Sequence, residues 1–317
     1  MAERSPAGKR LLSWSLDVPL RALLFVLGSL AMTLPRAVEL RLGPPLGRFI
    51  LRLGLFRPRI AHDNIRRCLP ELGPAGWQAL LRRNYEHYGV LFFEFLHFFA
   101  PARAHYRDYA RRIARLEGYE NWRRAHDQGR GVLFVASHVG FWEMLAAAGG
   151  LAGMPLTVVT TVLKPAWLHE KIAAARRTTG VAHAYHPGSM PAVLRALRRG
   201  DSVAFMNDQY APPPMGVPAR FFGVEVATLA AVGALARRTG AAVVPVSSYR
   251  DRDGLVRVVV EPELDVSACI NDTPAVTGLV AAKVEGWVRS HPEQWLWIHR
   301  RFKNVDWSLK TPEEAHA

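Results

Sequence analysis

The fold is decided by Gly129-Arg130-Gly131-Val132-Leu133-Phe134-Val135-Ala136-Ser137-His138-Val139-Gly140-Phe141-Trp142-Glu143. Residues 132–136 form a short, unbroken apolar run opened by two glycines, which predicts a strand buried on both faces. A strand with one wet face would alternate instead. A polar turn follows, and residues 144–151 read as a helix. Downstream the same unit recurs. Strands are predicted at 156–162, 181–185, 202–206 and 241–246, with helices at 169–177, 190–199 and 227–239 between them. Asp251-Arg252-Asp253-Gly254 turns a hairpin into a strand at 255–261, and a helix at 274–290 closes the pattern. Strands alternating with helices predict an α/β domain with a largely parallel sheet over about 118–305.

Upstream of that unit the chain reads as helix. Residues 60–69 and 77–99 are helical, separated by a break at 70–76, and 60–117 form a lead-in packed on the core. The second helix carries Tyr85, Tyr88, Phe92, Phe93, Phe95, Phe98 and Phe99. That face is too wide for a thin surface helix, so it is either deeply buried or turned to something apolar.

Composition narrows the function classes. The 317 residues hold 41 Lys+Arg against 27 Asp+Glu, a net charge of +14; half are apolar and 21% charged. A disordered chain would be less hydrophobic for its charge. No set of uncharged stretches of about 20 residues exists for a multi-span membrane protein. Cys68 and Cys269 are too few for a disulfide scaffold, and no cluster has metal-ligand spacing, so no metal and no cofactor is expected.

The positive charge is unevenly spread. Residues 1–60 hold ten Lys/Arg and three acids, half of the total excess in under a fifth of the chain. The same segment holds the apolar run Ala-Leu-Leu-Phe-Val-Leu-Gly-Ser-Leu-Ala-Met-Thr-Leu at 22–34. As a helix it reaches about 20 Å, short of a bilayer core of about 30 Å. At 46–56 arginines recur among bulky apolar residues, the pattern of an interfacial helix with snorkelling side chains. Residues 1–59 are therefore expected to associate with an anionic membrane surface, as a short span or lying in its plane. Two buried helices are the plain alternative. Residues 306–317 read as a flexible tail.

The strongest chemical feature is His138 with Glu143 at a strand-to-helix junction. On a regular helix their spacing would leave them roughly 140° apart. They meet only if His138 lies in the loop and Glu143 in the first helical turn, where Gly140 eases the bend and the helix dipole favours an acid. A carboxylate on the second imidazole nitrogen is the orienting half of a general base. A satisfied structural histidine explains most such pairs.

Other motifs accompany it. Asp63-Asn64 in Ala61-His62-Asp63-Asn64-Ile65, the Leu116-Glu117-Gly118 lead-in, Asn207-Asp208-Gln209, Arg220-Phe221-Phe222-Gly223 and Trp297-Ile298-His299-Arg300-Arg301-Phe302-Lys303 follow in order. In this order and spacing the chain resembles the bacterial lipid A biosynthesis lauroyl/myristoyl acyltransferases over nearly its whole length. Phosphatidylinositol mannoside acyltransferases share the pattern. Each motif alone is weak; the ordered set is specific.

The resemblance implies a glycerolipid-acyltransferase-like α/β fold, a mostly parallel sheet flanked by helices, with membrane-associating helices at the N-terminus. It implies an O-acyltransferase that moves a fatty acyl chain from an acyl carrier protein or coenzyme A thioester to a hydroxyl of a membrane lipid or glycolipid, foremost a lipid A precursor. His138 would deprotonate that hydroxyl and Glu143 would orient His138. Backbone N–H groups around Gly140 and Trp142 are oxyanion-hole candidates. Arg176, four residues before Gly180, would bind a phosphate of donor or acceptor. Asp208 and Gln209 leave a strand at the carboxyl edge, where ligands gather in α/β folds. Phe222 would wall the acyl site, and Arg300 and Arg301 would meet anionic phosphates or an acidic carrier. The expected location is the cytoplasmic face of the inner membrane.

Two departures stand out. Phe141 occupies a position where the family usually has Asn, and Lys164-Pro165 replaces Arg-Pro, which keeps the charge but loses bidentate phosphate binding. A non-catalytic basic lipid-binding protein remains as an alternative. A nucleic-acid-binding protein is weaker, because the charge clusters with the apolar run rather than with exposed aromatics.

Overall fold

The computed structural model describes residues 6–307; the expected tail from residue 308 onward lies outside the described residues. Strand β2 (Val132–Ala136) is buried at every position, as its sequence predicts. Its side chains alternate between two cores. Leu133 and Val135 enter one, which also holds Ile65, Leu80, Val193, Val232 and Val284. Phe134 and Ala136 enter the other, with Tyr106, Trp122, Met144 and Val258.

Around β2 stand β1 (Ala114–Glu117), β3 (Leu156–Thr161), β4 (Ala182–His186), β5 (Ser202–Met206), β8 (Ala242–Arg250) and β9 (Val256–Val260). The seven-stranded order is β1-β9-β8-β2-β5-β3-β4. Strands β8, β2, β5, β3 and β4 run parallel; β9 is antiparallel to β8, and β1 runs parallel to β9. The α/β expectation therefore holds, with a reversed edge of two strands. A separate antiparallel hairpin pairs β6 (Gly216–Phe221) with β7 (Val224–Leu229).

Helices α5 (His105–Ile113), α6 (Tyr119–His126) and α7 (Glu143–Leu151) supply side chains to the core on the Phe134 side. Helix α8 (Ala166–Arg177) joins them through Ala175. Helices α3 (Pro58–Cys68), α4 (Gly73–Leu96), α9 (Met190–Arg198), α10 (Ala231–Thr239) and α11 (Thr273–Ser290) cover the opposite face. Three sequence expectations shift. The break read at 70–76 narrows to a 3-10 turn at Pro70–Leu72, because α4 already starts at Gly73. Residues 227–229, read as helical, belong to β7, and α10 starts at Ala231. Residues 114–117, read as part of the helical lead-in, are edge strand β1, ahead of the expected core start at 118.

The N-terminal helices differ in how they attach. Helix α2 (Arg36–Arg52) crosses α4 at glycines: a Cβ on Gly47 would lie 1.8 Å from Tyr85 O, and one on Gly89 1.9 Å from Gly43 O. A buried charge cluster fixes the same contact. Arg36 donates to Glu39 (2.7 Å), Glu94 (2.6 Å), Tyr109 (2.9 Å) and Gly254 O (2.9 Å). Glu39 also holds His97 at 2.8 Å, and Glu94 pairs with Arg250. Helix α1 (Pro6–Thr33) is different. Gly28 and Ala31 are buried, with Gly28 against the Phe99 backbone, whereas Val18, Leu20, Leu23, Phe25, Val26 and Leu30 are exposed. Eleven of the seventeen exposed large apolar side chains among the described residues fall between 18 and 56, so the apolar surface is concentrated on these helices. No described helix is long and apolar enough to cross a membrane.

Candidate active site

Strand β2 delivers His138 to the carboxyl edge of the parallel strands, and β5, its neighbour, delivers Asp208 to the same edge. Asn207 N donates to Ala136 O at 2.8 Å, which fixes the two strand ends in register. His138 Nδ1 lies 2.8 Å from Asp208 Oδ1, and the backbone N–H of His138 donates to Oδ2 at 2.8 Å. Trp295 Nε1 donates to the same Oδ2 at 2.9 Å. Burial alone would raise the pKa of Asp208; its three donors, His138 foremost, outweigh that and hold it at about 2. An ionised carboxylate only accepts, so Nδ1 carries the proton and Nε2 presents a lone pair. The Trp142 ring stands edge-on to the imidazole with centroids 5.0 Å apart.

The turn holding His138 is fixed from beneath. Gly140 has φ of +68°, and a Cβ there would meet Ser248 O at 2.7 Å. Ser248 Oγ donates to Val139 O at 2.9 Å, and Gly140 N donates to Gln294 O at 3.0 Å. Asn84 and Asn64 anchor the segment that carries Trp295, through the Trp295 and Trp297 carbonyls at 2.8 Å each.

Glu143 does not touch His138. It accepts from Arg176 Nε at 2.9 Å and Nη2 at 2.7 Å, a bidentate pair that joins α7 to α8. Burial opposes the Arg176 charge, yet Glu143 raises its pKa above the ordinary value. The carboxylate expected on the imidazole is thus Asp208, seventy residues away in sequence, and the arginine expected to await a phosphate is paired with Glu143.

The remaining predicted positions separate. Gly140 N–H is already committed to Gln294 O, whereas the Trp142 N–H, at the start of α7, donates to no protein group among the described hydrogen bonds. Gln209 lies beside Asp208, and its carbonyl accepts from Arg301 at 2.7 Å. Arg301 is fully buried: it also donates to Ala227 O (3.0 Å) and Thr228 Oγ1 (2.6 Å) and lies over Phe221, so it braces the hairpin. Burial lowers its pKa to about 10. Arg300 is exposed. Phe222 belongs to the core on the far side of the sheet, packed against Trp295 and Trp297, and does not wall the cleft. The role of Trp295 was not legible; only the fold shows that its indole reaches a carboxylate.

Beside His138 opens a cleft with about 820 Å³ of empty space, part of it open to solvent. Trp142, Glu143, Arg176 and Thr160 stand with His138 in its lining; the rest is almost wholly apolar, including Ala146, Val158, Ala204 and Met206. Among the described residues no group of three or more His, Cys, Asp or Glu could hold a metal ion. The arrangement is a carboxylate-held imidazole beside an apolar slot, a geometry that can accept a proton next to a hydrocarbon.

Comparison with known proteins places the arrangement in context. Residues 12–304 match the model of the family described as bacterial lipid A biosynthesis acyltransferase. The chain is 29% identical to the lipid A biosynthesis lauroyltransferase of Escherichia coli K12, over 86% of this chain and 88% of that protein. It is 28% identical to the palmitoleoyltransferase of the same strain, over 85% and 86%. A phosphatidylinositol mannoside acyltransferase of Mycolicibacterium smegmatis is 30% identical over 54% of this chain and 56% of its own.

Proposed function

The chain belongs to the bacterial lipid A biosynthesis acyltransferases and is an acyltransferase, and from that premise we propose how its cleft transfers the acyl group. The donor is a fatty acyl thioester of acyl carrier protein or coenzyme A, and the acceptor is a hydroxyl of a lipid A precursor. The acyl tail lies in the apolar slot with its thioester carbonyl beneath His138. His138 Nε2 takes the hydroxyl proton as the oxygen attacks the carbonyl carbon. Asp208 holds the ring in that tautomer and stabilises the imidazolium that forms. The Trp142 N–H at the start of α7 is the donor that would stabilise the oxyanion of the tetrahedral intermediate. Collapse expels the thiolate, which takes the proton back from His138, leaving an ester and a free thiol. Positioned base catalysis of this kind contributes about 10²–10⁴-fold. Glu143 acts at one remove: its pair with Arg176 sets the start of α7 and so the Trp142 amide.

The observation that carries this reading is the His138–Asp208 hydrogen bond at 2.8 Å, placed at the mouth of an apolar slot. A membrane-borne acceptor is supported by the exposed apolar side chains on α1 and α2 and on Leu53, Leu55 and Phe56. Arg21, Arg41, Arg48 and Arg52 lie exposed among them, as suits the anionic cytoplasmic face of the inner membrane. Purified protein given an acyl thioester and a lipid A precursor should yield a product heavier by one acyl chain by mass spectrometry. Lipids of a deletion strain should lack that chain. Absence of transfer with both donor types would overturn the proposal.

A further inference from the structure

The slot has a closed end. Within the sheet, the residues of its lining that retain accessible surface are Met206 and Ala204 on β5, Val158, Val159 and Thr160 on β3, and Leu116 on the edge strand β1; Ala146 of α7 shares the lining. The valines of β8 and β9 that also border it, Val246, Val258 and Val260, are buried. Five of the six accessible sheet positions stand on β5 and β3, and buried valines separate them from Leu116, so the open channel runs down β5 and β3 beneath α7, away from His138. Its register fixes its length. Met206 stands level with Ala136, Ala204 with Val158, and Leu156 with Ser202. From Met206 to the level of Leu156 is four strand residues, or about 13 Å at about 3.3 Å each.

At that level three residues close the channel. Met154 and Leu156 are 3% and 5% exposed, so no route continues past them. A methyl group placed on Gly149 would lie 3.3 Å from Leu156 Cδ2 and 3.3 Å from Met154 Sδ, so the glycine leaves just the room those side chains fill.

Resting on the acyl-transfer reading above, we infer that Gly149, Met154 and Leu156 form a gauge that limits the donor to a chain of about ten to twelve carbons. An extended chain advances about 1.3 Å per carbon, given C–C bonds of about 1.5 Å, so about 13 Å holds about ten methylenes. The carbonyl and its neighbour occupy the level of His138 above. A sixteen-carbon chain would have to bend back or displace the floor. Met154 is the movable part, since its unbranched thioether fills irregular space.

The test uses the full-length protein, a lipid A precursor, and acyl thioesters of ten, twelve, fourteen and sixteen carbons on both acyl carrier protein and coenzyme A. Wild type should peak at ten to twelve carbons and fall roughly tenfold or more for chains that overrun the floor. Met154→Ala should move the optimum up by two or more carbons. Gly149→Ala should move it down and keep turnover with the shortest donor. A wild-type optimum at sixteen carbons, or unchanged profiles in both variants, overturns the gauge while leaving acyl transfer standing. No transfer from any donor takes down both.

Discussion

Replacing Asp208 with Asn tests the catalytic geometry at a single atom. The carboxylate accepts three hydrogen bonds: two on Oδ2, from His138 N and Trp295 Nε1, and one on Oδ1, from His138 Nδ1. An amide has one oxygen. If its NH2 faced the His138 and Trp295 N–H groups, two buried donors would meet a third, at about 1–3 kcal/mol for each group left unpaired. The oxygen therefore stays at the Oδ2 position and the NH2 turns to Nδ1. Nδ1 must then accept, the ring proton moves to Nε2, and the lone pair that should take the hydroxyl proton disappears. A general base in the wrong tautomer loses about 10³–10⁴ in kcat, or about 4–5.5 kcal/mol at about 1.4 kcal/mol per decade. Glu143→Gln is the contrast. Its hydrogen bonds go only to Arg176: the amide keeps one of the two and loses the other, and because that change reaches the reacting atoms only through the start of α7 it predicts a loss of about tenfold. Initial rates of acyl transfer for both variants and wild type, from pH 5 to 9, give the comparison. Asp208→Asn within tenfold of wild type, with Glu143→Gln inactive, would refute the reasoning and return the orienting role to Glu143.

Further outcomes follow from other parts of the fold. Glu94→Ala leaves Arg36 and Arg250 without their buried carboxylate and should cost about 3–5 kcal/mol, read from denaturant unfolding. Gly140→Ala puts a methyl 2.7 Å from Ser248 O at a positive φ; the turn must shift, and kcat should fall by about 10² with the global fold kept by circular dichroism. Burial, with His97 and Arg112 nearby, holds the His105 pKa at about 4. A histidine depressed in the fold makes the unfolded chain the better proton binder, so stability should decline as pH drops from 6.5 toward 4. His105→Gln should flatten part of that slope in thermal melts; an unchanged slope would show that the decline arises elsewhere. Leu23→Ser with Phe25→Ser should reduce flotation with anionic vesicles while leaving the melting temperature nearly unchanged, since both side chains are exposed.

The sheet was readable because its central strand is short, apolar and bounded by glycine, and because the α/β alternation recurs around it. Strand β1 was not, since Ala114-Arg115-Leu116-Glu117 alternates polar and apolar residues at an edge and continues a helical run. The β6–β7 hairpin hid for a related reason: the alanines at 227, 230 and 231 favour helix, and only the ladder and Arg301 beneath it hold residues 227–229 extended. At the site, His138 was legible from its turn, but its partner was not. Local spacing pointed to Glu143, five residues away, whereas strand order sets Asp208 beside it; adjacent parallel strands end at one edge, and no linear pattern reports which are adjacent. Arg301 misled in the opposite direction. A basic run reads as a solvated face, yet three acceptors draw this one inward.

The central claim is that His138 is the base. It is tested most directly by single-turnover transfer from an acyl thioester to a lipid A precursor, comparing wild type with His138→Ala at matched folding stability. The account predicts a loss of about 10³-fold or more in the chemical step, with donor binding unchanged because the apolar slot is intact. Transfer by His138→Ala within tenfold of wild type would contradict it.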